Sequence, residues 1–286
     1  MEPWVLTVLA AIIVGSAYSW LKRANFAVIT CAACAVAFVA VLVVQENTAS
    51  AALNEVAFEP NDLTHPSRLY TVLTSMYSHV SLEHILFNVL ALIFIGVFLE
   101  QSIGTRPFVV IYFVAGLAGT LAFAAANWST PYQGAVGASG AISGILGAAA
   151  RLYPNERFSL MALIPMPLWV LSIIFVLIQL LIAFSYSDIA WEAHVGGLAA
   201  GFLIAPVIVR TPLHRRVKRM VSLSSLRKLA TTPELKSIMR RIEDEEVPDV
   251  RSAWIEHFLS KATCPQCGSK LKVSREAVVC QKGHIL

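Results

Sequence analysis

The sequence predicts an all-α protein that crosses a membrane several times. Of its 286 residues, 57% are hydrophobic and 14% are charged, and the mean hydropathy is +0.67. A soluble domain has about 45–50% apolar and about 25% charged residues. The composition therefore excludes a soluble globular enzyme, a disordered chain and a small protein held by disulfides. Two further observations, long apolar segments and uneven charge, lead to the same fold class.

Seven apolar segments are candidate membrane spans, because about 20 mostly apolar residues are needed to cross the hydrocarbon core. They lie at 4–21, 26–45, 82–100, 107–127, 137–152, 167–186 and 189–209. The first is interpreted as a span rather than a signal peptide, since Glu2 and Pro3 stand where a basic segment would precede the apolar run. The fifth is short and rich in glycine and alanine.

The charges predict how the chain is oriented. Residues 1–209 contain 6 basic and 10 acidic side chains, whereas residues 210–286 contain 16 and 8. After seven crossings, most basic residues would share one side: Lys22, Arg23, Arg106, Arg151, Arg157 and the run that starts at His214. Basic loops favour the cytoplasm. We therefore expect a multi-pass protein of the cell membrane with its N-terminus outside and its C-terminal tail in the cytoplasm.

The loop at 46–78 is long and mixes apolar with polar residues. We expect a non-helical segment at the membrane interface. Its backbone groups would need partners within the protein, because unpaired backbone groups are costly in lipid.

Polar residues cluster where the spans would reach their outer ends. His79, His84 and Asn88 lie at the start of the third span, Ser139 starts the fifth, and His194 lies in the seventh. Polar side chains inside spans are costly, so their convergence from three segments indicates a functional site. The alternative for any one of them is structural, since a serine often bonds to its own helix backbone and a histidine can simply pack.

Serine and histidine together predict nucleophilic catalysis. A serine hydroxyl becomes reactive when a neutral histidine removes its proton. Donors for a developing oxyanion would come from Asn88, from His84 and from the backbone N–H of Ser139 at a helix N-terminus. Small residues spaced along the fifth and seventh spans would let the two helices approach closely: Gly140, Gly144, Gly147, Gly197 and Gly201.

Four motifs together resemble the rhomboid family. His79 to Asn88 is similar to its H-x4-H-x3-N motif, Gly137 to Gly140 to its G-x-S-G, and Ala193 to Gly201 to its A-H-x2-G-x3-G. Gly96 to Glu100 is similar to its G-x3-E. The resemblance covers residues 60–209 and implies a serine-type endopeptidase that cuts transmembrane substrates near the outer membrane face, with membrane lipid around it and no cofactor for catalysis.

The resemblance also implies residue roles and domains. Ser139 would be the nucleophile, His194 the base, and His84 and Asn88 oxyanion contributors. The site would be shaped by His79, Gly137, Gly140 and Arg68. The six-helix rhomboid-like core would occupy 26–210, with an extra transmembrane helix at 1–25.

The sequence departs from the family pattern at two positions. Ser67 precedes Arg68 where the family often has tryptophan. Ser143 stands where an aromatic ring often stacks on the catalytic histidine, which bears on how His194 is oriented.

A basic linker is predicted at 211–260. The first part of this linker ends at residue 232 and would be a solvated anchor near anionic lipid. We therefore expect no nucleic-acid binding by its basic residues. Apolar spacing predicts helices at 233–243 and 249–260, the second with a stripe of Val250, Trp254 and Phe258.

The segment 261–286 predicts a zinc-ribbon-like module. Cys264-x2-Cys267 and Cys280-x3-His284 supply four ligands on either side of a predicted hairpin at 270–279. Four protein ligands are typical of a structural zinc site. The spacing resembles the zinc ribbon of a ribosomal-RNA guanine methyltransferase family, and the partner of the module is unknown. The alternative is three free thiols beside an unrelated histidine.

Two other functions are alternatives to proteolysis. A pseudoprotease would bind membrane clients without cutting them, but the presence of both Ser139 and His194 argues against it. A transporter would show inverted repeats or acidic residues in the middle of spans, and the sequence shows neither.

Overall fold

The computed structural model describes residues 2–44, 49–130, 133–160, 164–185, 189–209, 223–245, 248–274 and 277–284. The chain divides into two compact units, Met1–Arg210 and Thr211–Leu286.

The first unit contains a helix in each of the seven predicted segments. Its helices are α1 (Pro3–Lys22), α2 (Phe26–Val44), α3 (Ala49–Val56), α4 (Thr71–Thr74), α5 (Leu82–Ala91), α6 (Val97–Ile103), α7 (Thr105–Ala126), α8 (Ser139–Leu152), α9 (Leu168–Ser185) and α10 (Trp191–Ile208). A π-helical turn, Leu92–Gly96, joins α5 and α6 into one continuous helix.

Five helices of the described part are long and apolar enough to cross a membrane: Pro3–Lys22, Phe26–Val44, Leu82–Ile103, Thr105–Ala126 and Trp191–Ile208. The α9 helix is a shorter apolar helix, and α8 has only 14 residues. A helical, polytopic membrane protein is therefore the architecture, while the total of seven crossings stays a prediction.

Helix α8 packs against both α7 and α10, which also pack against each other. All of its residues from Gly140 to Ala150 are buried. A side-chain carbon on Gly197 would overlap the Gly140 carbonyl, and one on Gly201 would overlap the Gly144 carbonyl. The small residues therefore let the backbones of α8 and α10 touch. This close approach increases the van der Waals contact by which helices associate in lipid.

Glu100 ties α6 to the start of α2. Its buried carboxylate accepts hydrogen bonds from the backbone N–H groups of Phe26 at 2.7 Å and Ala27 at 2.8 Å. The first N–H groups of a helix have no partner within the helix. Glu100 therefore satisfies two donors that would otherwise be unpaired in an apolar environment.

The expectation of a non-helical loop before α5 is wrong. Residues 49–77 contain α3, α4 and three 3-10 turns, Pro60–Thr64, Pro66–Arg68 and Ser75–Tyr77. Short helical turns pair their backbone N–H and C=O groups locally. The backbone groups of this segment therefore still have partners within the protein, as expected.

A short antiparallel hairpin between α8 and α9 was not predicted. It pairs β1 (Arg157–Leu160) with β2 (Ile164–Pro167). Each strand has only four residues, so the alternation of apolar and polar side chains is too short to predict a strand from the sequence.

The second unit contains α11 (Leu223–Leu229), α12 (Pro233–Asp244), α13 (Pro248–Lys261) and a hairpin of β3 (Leu271–Ser274) and β4 (Ala277–Cys280). The α11 helix lies inside the segment predicted to be a solvated anchor, and its Leu226 and Leu229 are buried. Residues 210–222, which hold the basic run after the last span, lie outside the described residues.

The apolar face of α12 is buried and consists of Leu235, Ile238, Met239 and Ile242. Of the three residues predicted to form the stripe of α13, Phe258 is buried in the core, whereas the other two are more exposed. Val250 is 42% exposed, and Trp254 is only partly buried. The side chains that enter the core are Ile255, Phe258, Leu259 and Ala262. Trp254 instead lies at the edge of that core. The Arg241 guanidinium is 4.9 Å from the centre of the Trp254 ring.

Candidate active site

Ser139 and His194 are in direct contact. The Ser139 Oγ lies 2.6 Å from the His194 Nε2, although the residues are 55 positions apart in sequence. Ser139 is the first residue of α8, and His194 lies in the first turn of α10. The close packing of these two helices brings the hydroxyl and the imidazole together.

Gly137 is required by the geometry before α8. Its φ is +128°, a region that favours glycine, and a side-chain carbon there would lie 2.8 Å from the His84 Nε2. Its N–H donates to the Ser75 carbonyl at 2.8 Å. Gly140 also faces a neighbour, since a carbon there would lie 3.4 Å from the Ala193 carbonyl oxygen.

His84 and Asn88 lie on one face of α5, as predicted. Ser81 caps this helix by accepting the His84 N–H at 3.2 Å. The Asn88 Nδ2 donates to the His84 carbonyl at 2.8 Å, which leaves its second N–H for another acceptor. The Asn88 Oδ1 is buried and has no hydrogen-bond partner among the described residues.

His79 packs behind His84 rather than against the serine. Its ring centre is 4.9 Å from that of His84, and the side chain is 1% exposed. Neither ring nitrogen has a partner within the described part of the chain. Its placement can fix the position of His84.

Two cavities meet at Ser139. One, of about 410 Å³, is lined by His84, Asn88, Ser139 and His194. The other, of about 250 Å³, is apolar and is lined by Asn88, Ser139 and His194 together with side chains such as Phe175. The hydroxyl therefore lies between a polar space that can hold water and an apolar space that can hold a side chain.

Sequence reasoning missed the contacts that α9 makes with His194. The Gln179 Oε1 lies 2.8 Å from the His194 Nδ1, and the Phe175 ring lies 6.2 Å from the imidazole at 46°. The Ser143 hydroxyl, where an aromatic ring was noted to be missing, donates to the Ser139 carbonyl at 2.7 Å. A glutamine in an apolar helix is the signal that could have found Gln179.

Arg68 contacts the loop before α5 and not the Ser139–His194 pair. Its guanidinium pairs with Asp62 at 3.0 Å and with Glu55 at 3.7 Å, and donates to the Asn54 carbonyl at 2.8 Å. Its effect on the site would therefore act through the shape of this loop.

A cluster of candidate metal ligands lies in the Thr211–Leu286 unit. Cys264, Cys267, Cys280 and His284 offer four ligand atoms that all lie within 4.8 Å of one another. The distance is 3.6 Å from the Cys264 Sγ to the His284 Nδ1, 3.6 Å between the Cys267 and Cys280 sulfurs, and 3.4 Å from the Cys280 Sγ to the His284 Nδ1. A tetrahedral zinc with ordinary bond lengths separates two sulfurs by about 3.8 Å, and a sulfur from a nitrogen by about 3.5 Å.

The surroundings of Cys267 and Cys280 favour the ligating thiolate, whereas burial raises the pKa of Cys264. A hydrogen bond with Ser269, at 2.9 Å, lowers the pKa of Cys267. Burial would raise the pKa of Cys280, but hydrogen bonds from Ser269 and from the His284 backbone lower it to about 6. Thiolates are the form of cysteine that binds metal.

The apolar helices define a polytopic membrane protein, and a half-buried contact between a serine and a histidine lies within it. The family model described as the Rhomboid domain matches residues 66–211, slightly more than half of the chain. The chain belongs to the rhomboid family.

The chain is similar to several curated rhomboid proteins. It is 33% identical to Rhomboid protease GluP of Bacillus subtilis (strain 168) over 148 residues, which are 52% of this chain and 28% of that protein. It is 29% identical to RHOMBOID-like protein 1 of Arabidopsis thaliana over 163 residues, 54% of this chain and 39% of that protein. The Inactive RHOMBOID-like protein 8 of Arabidopsis thaliana is 39% identical over 59 residues, 21% of this chain and 17% of that protein. The chain thus spans less than half of the length of these relatives.

Proposed function

We propose that this protein is an intramembrane serine endopeptidase that cuts transmembrane proteins near the outer membrane face. The observation that carries the proposal is the 2.6 Å contact between the Ser139 Oγ and the His194 Nε2, at the junction of the two cavities. Membership of the rhomboid family and similarity to a rhomboid protease support it.

The first half of the reaction forms an ester with Ser139. The His194 Nε2 accepts the proton of the hydroxyl while the oxygen attacks the carbonyl carbon of the peptide bond. The tetrahedral intermediate collapses as the C–N bond breaks, and His194 gives its proton to the leaving amine. In the second half, His194 takes a proton from water while the water oxygen attacks the ester carbon. As the ester C–O bond breaks, His194 returns this proton to the Ser139 Oγ, and a carboxylic acid is released.

The oxyanion of each tetrahedral intermediate needs fixed donors. We assign the backbone N–H of Ser139, the free N–H of Asn88 and the His84 ring to this role. The first residues of a helix have N–H groups without helical partners, and the helix dipole favours negative charge there. Asn88 and His84 line the same cavity as Ser139.

The site would face the outer side of the membrane. Loops that hold basic residues meet at the opposite end: the Arg106 Nε donates to the Trp20 carbonyl, and the Thr105 hydroxyl donates to the Arg23 carbonyl. Arg151 lies in the last turn of α8, whereas Ser139 starts it. Basic loops favour the cytoplasm, so the N-terminus would be outside and the tail cytoplasmic.

A pseudoprotease is the alternative, since a relative is named inactive. Reaction with a fluorophosphonate probe separates the two functions, because the probe bonds covalently only to an activated serine. We expect labelling of the wild-type protein at Ser139, located by mass spectrometry of the labelled peptide. His194→Ala, with Ser139 intact, should not be labelled. Labelling of His194→Ala at the wild-type rate would contradict the proposal.

We also propose that Cys264, Cys267, Cys280 and His284 hold a structural zinc ion. The ligand separations match tetrahedral coordination, and Gly268 and Gly283 provide the positive φ of the two turns that carry the ligands. Four protein ligands leave no open position, so the metal would not take part in peptide hydrolysis. Its role would be to stabilise a module that is too small to fold by its core alone.

A further inference from the structure

We propose that Gln179 is a positioning residue that fixes the tautomer and orientation of His194. The inference rests on the proposed function, because it concerns how the base is prepared for Ser139. It assigns a role to a residue of α9, a helix that contributes none of the residues in the four motifs.

The contact is short and shielded from solvent. The Gln179 Oε1 lies 2.8 Å from the His194 Nδ1, and the glutamine is 5% exposed. Phe175 precedes Gln179 by four residues, so both project from one face of α9. The same helix therefore places an acceptor at one edge of the imidazole and a ring beside it.

An amide oxygen can only accept a hydrogen bond, so the bonded Nδ1 must carry the proton. In a neutral imidazole the lone pair then lies on Nε2, which is the atom 2.6 Å from the Ser139 Oγ. Gln179 would thus select the tautomer that can accept the serine proton. A neutral amide does this without burying a carboxylate among apolar helices, which would be costly.

The position of Ser143 is consistent with this role. Its hydroxyl donates to the Ser139 carbonyl, and it offers no ring to stack on His194. Without an aromatic side chain from α8, the imidazole needs another constraint on its rotation. A hydrogen bond to Nδ1, the ring nitrogen that does not face the serine, supplies it.

Gln179→Met tests the role by kinetics, because methionine has a similar shape and no strong acceptor. We expect kcat for a transmembrane reporter to fall about 10-fold, the effect of one hydrogen bond, with KM unchanged. Gln179→Glu keeps an acceptor, so its kcat should lie above that of Gln179→Met, although the buried carboxylate should lower stability. Ser172→Ala is the control on the same helix, since the Ser172 hydroxyl is buried without a partner in the described part of the chain. The proposal would be overturned if Gln179→Met had the wild-type kcat. It would also be overturned if Gln179→Met and Gln179→Glu lowered kcat equally.

The pH profile separates positioning from simple packing. The titratable side chain of His84 lines the same cavity as His194. Helices α7, α8 and α9 add no charged side chain to the described residues that line this cavity. In Gln179→Glu a carboxylate would stabilise the imidazolium, so the acidic limb of the kcat profile should move to higher pH. An unmoved limb in an active Gln179→Glu protein would count against the contact.

Histidine 15N NMR tests the tautomer without any substrate. The His194 signal is assigned by its loss in His194→Asn, in full-length protein in detergent. We expect the Nδ1–H tautomer in the wild type and a mixture in Gln179→Met. An Nε2–H tautomer in the wild type would overturn the inference. Should the wild type cut no substrate, the proposed function fails while this spectrum still decides the role of Gln179.

Discussion

A serine inside a helix usually donates its hydroxyl to the backbone carbonyl one turn earlier. Ser143 does so, with the Ser139 carbonyl as its acceptor at 2.7 Å. Ser139 begins α8, so no preceding helical turn offers it such a carbonyl, and its hydroxyl is free to bond to His194. The position of each serine in the helix thus decides whether its hydroxyl bonds to the backbone or to His194.

Asn88→Ala should lower kcat about 10²-fold if the free amide N–H stabilises the oxyanion. KM should change little, because the bond strengthens only in the transition state. The measurement is steady-state cleavage of a transmembrane reporter in detergent.

Asn127→Ala is the matched control for Asn88. Asn127 also donates to the carbonyl four residues earlier, at 3.0 Å, but it lines neither cavity at Ser139. Its activity should stay near the wild-type value. Equal activity of both variants would remove Asn88 from the proposed oxyanion site.

At the scale of elements, the backbone contact between α8 and α10 sets the distance between nucleophile and base. Gly201 lies two turns below His194, and a side-chain carbon on it would overlap the Gly144 carbonyl. Any larger residue there must move the helices apart or tilt them.

Gly201→Val should therefore abolish cleavage and lower thermal stability, because it separates α10 from α8. Ala199→Val is the control, since Ala199 is exposed on the same helix and the added methyl groups have space. The comparison uses reporter cleavage and unfolding followed by circular dichroism in detergent. If Gly201→Val cuts as fast as Ala199→Val, the close contact does not control the site.

Glu100→Ala should destabilise the first unit, because two buried N–H groups at the start of α2 lose their acceptor. Each such bond to a charged group contributes about 1.5–3 kcal/mol. Glu100→Gln keeps one acceptor oxygen and should be intermediate. Thermal unfolding in detergent checks the order wild type, Gln, Ala; identical midpoints would show that Glu100 does not cap α2.

The helices and the core of the site were predictable because both rest on local sequence signals. Length and apolarity located the spans, and the cost of polar groups in lipid singled out Ser139, His194 and Asn88. The contact of Gln179 depends on how α9 packs, which no local pattern specifies. Part of the face of α13 was missed for the same reason, since Val250 and Ile255 are both apolar and only the tertiary core selects between them.

At the scale of the whole molecule, the two compact units hold separate clusters of polar side chains. The serine–histidine pair lies in Met1–Arg210, and the cysteine–histidine cluster lies in Thr211–Leu286. The division into an extra helix at 1–25, a core at 26–210, a linker at 211–260 and a module at 261–286 remains our prediction.

Removal of metal should unfold the module and leave proteolysis intact. We expect a strong chelator to release about one zinc ion per chain and to expose residues 264–286 to added trypsin. Cys264→Ser should give the same digestion pattern without chelator, and Cys31→Ser is the matched control in α2. Reporter cleavage should persist in all of these samples. Loss of cleavage on chelation would show that the two units are functionally linked.

The most direct test of the central claim is cleavage of a transmembrane reporter by purified full-length protein in liposomes. We predict two fragments with wild-type protein, none with Ser139→Ala or His194→Ala, and no further loss when both changes are combined, because nucleophile and base act as one unit. Mass spectrometry of the fragments should place the cut near the outer end of the reporter span. Cleavage by Ser139→Ala at the wild-type rate would contradict the account.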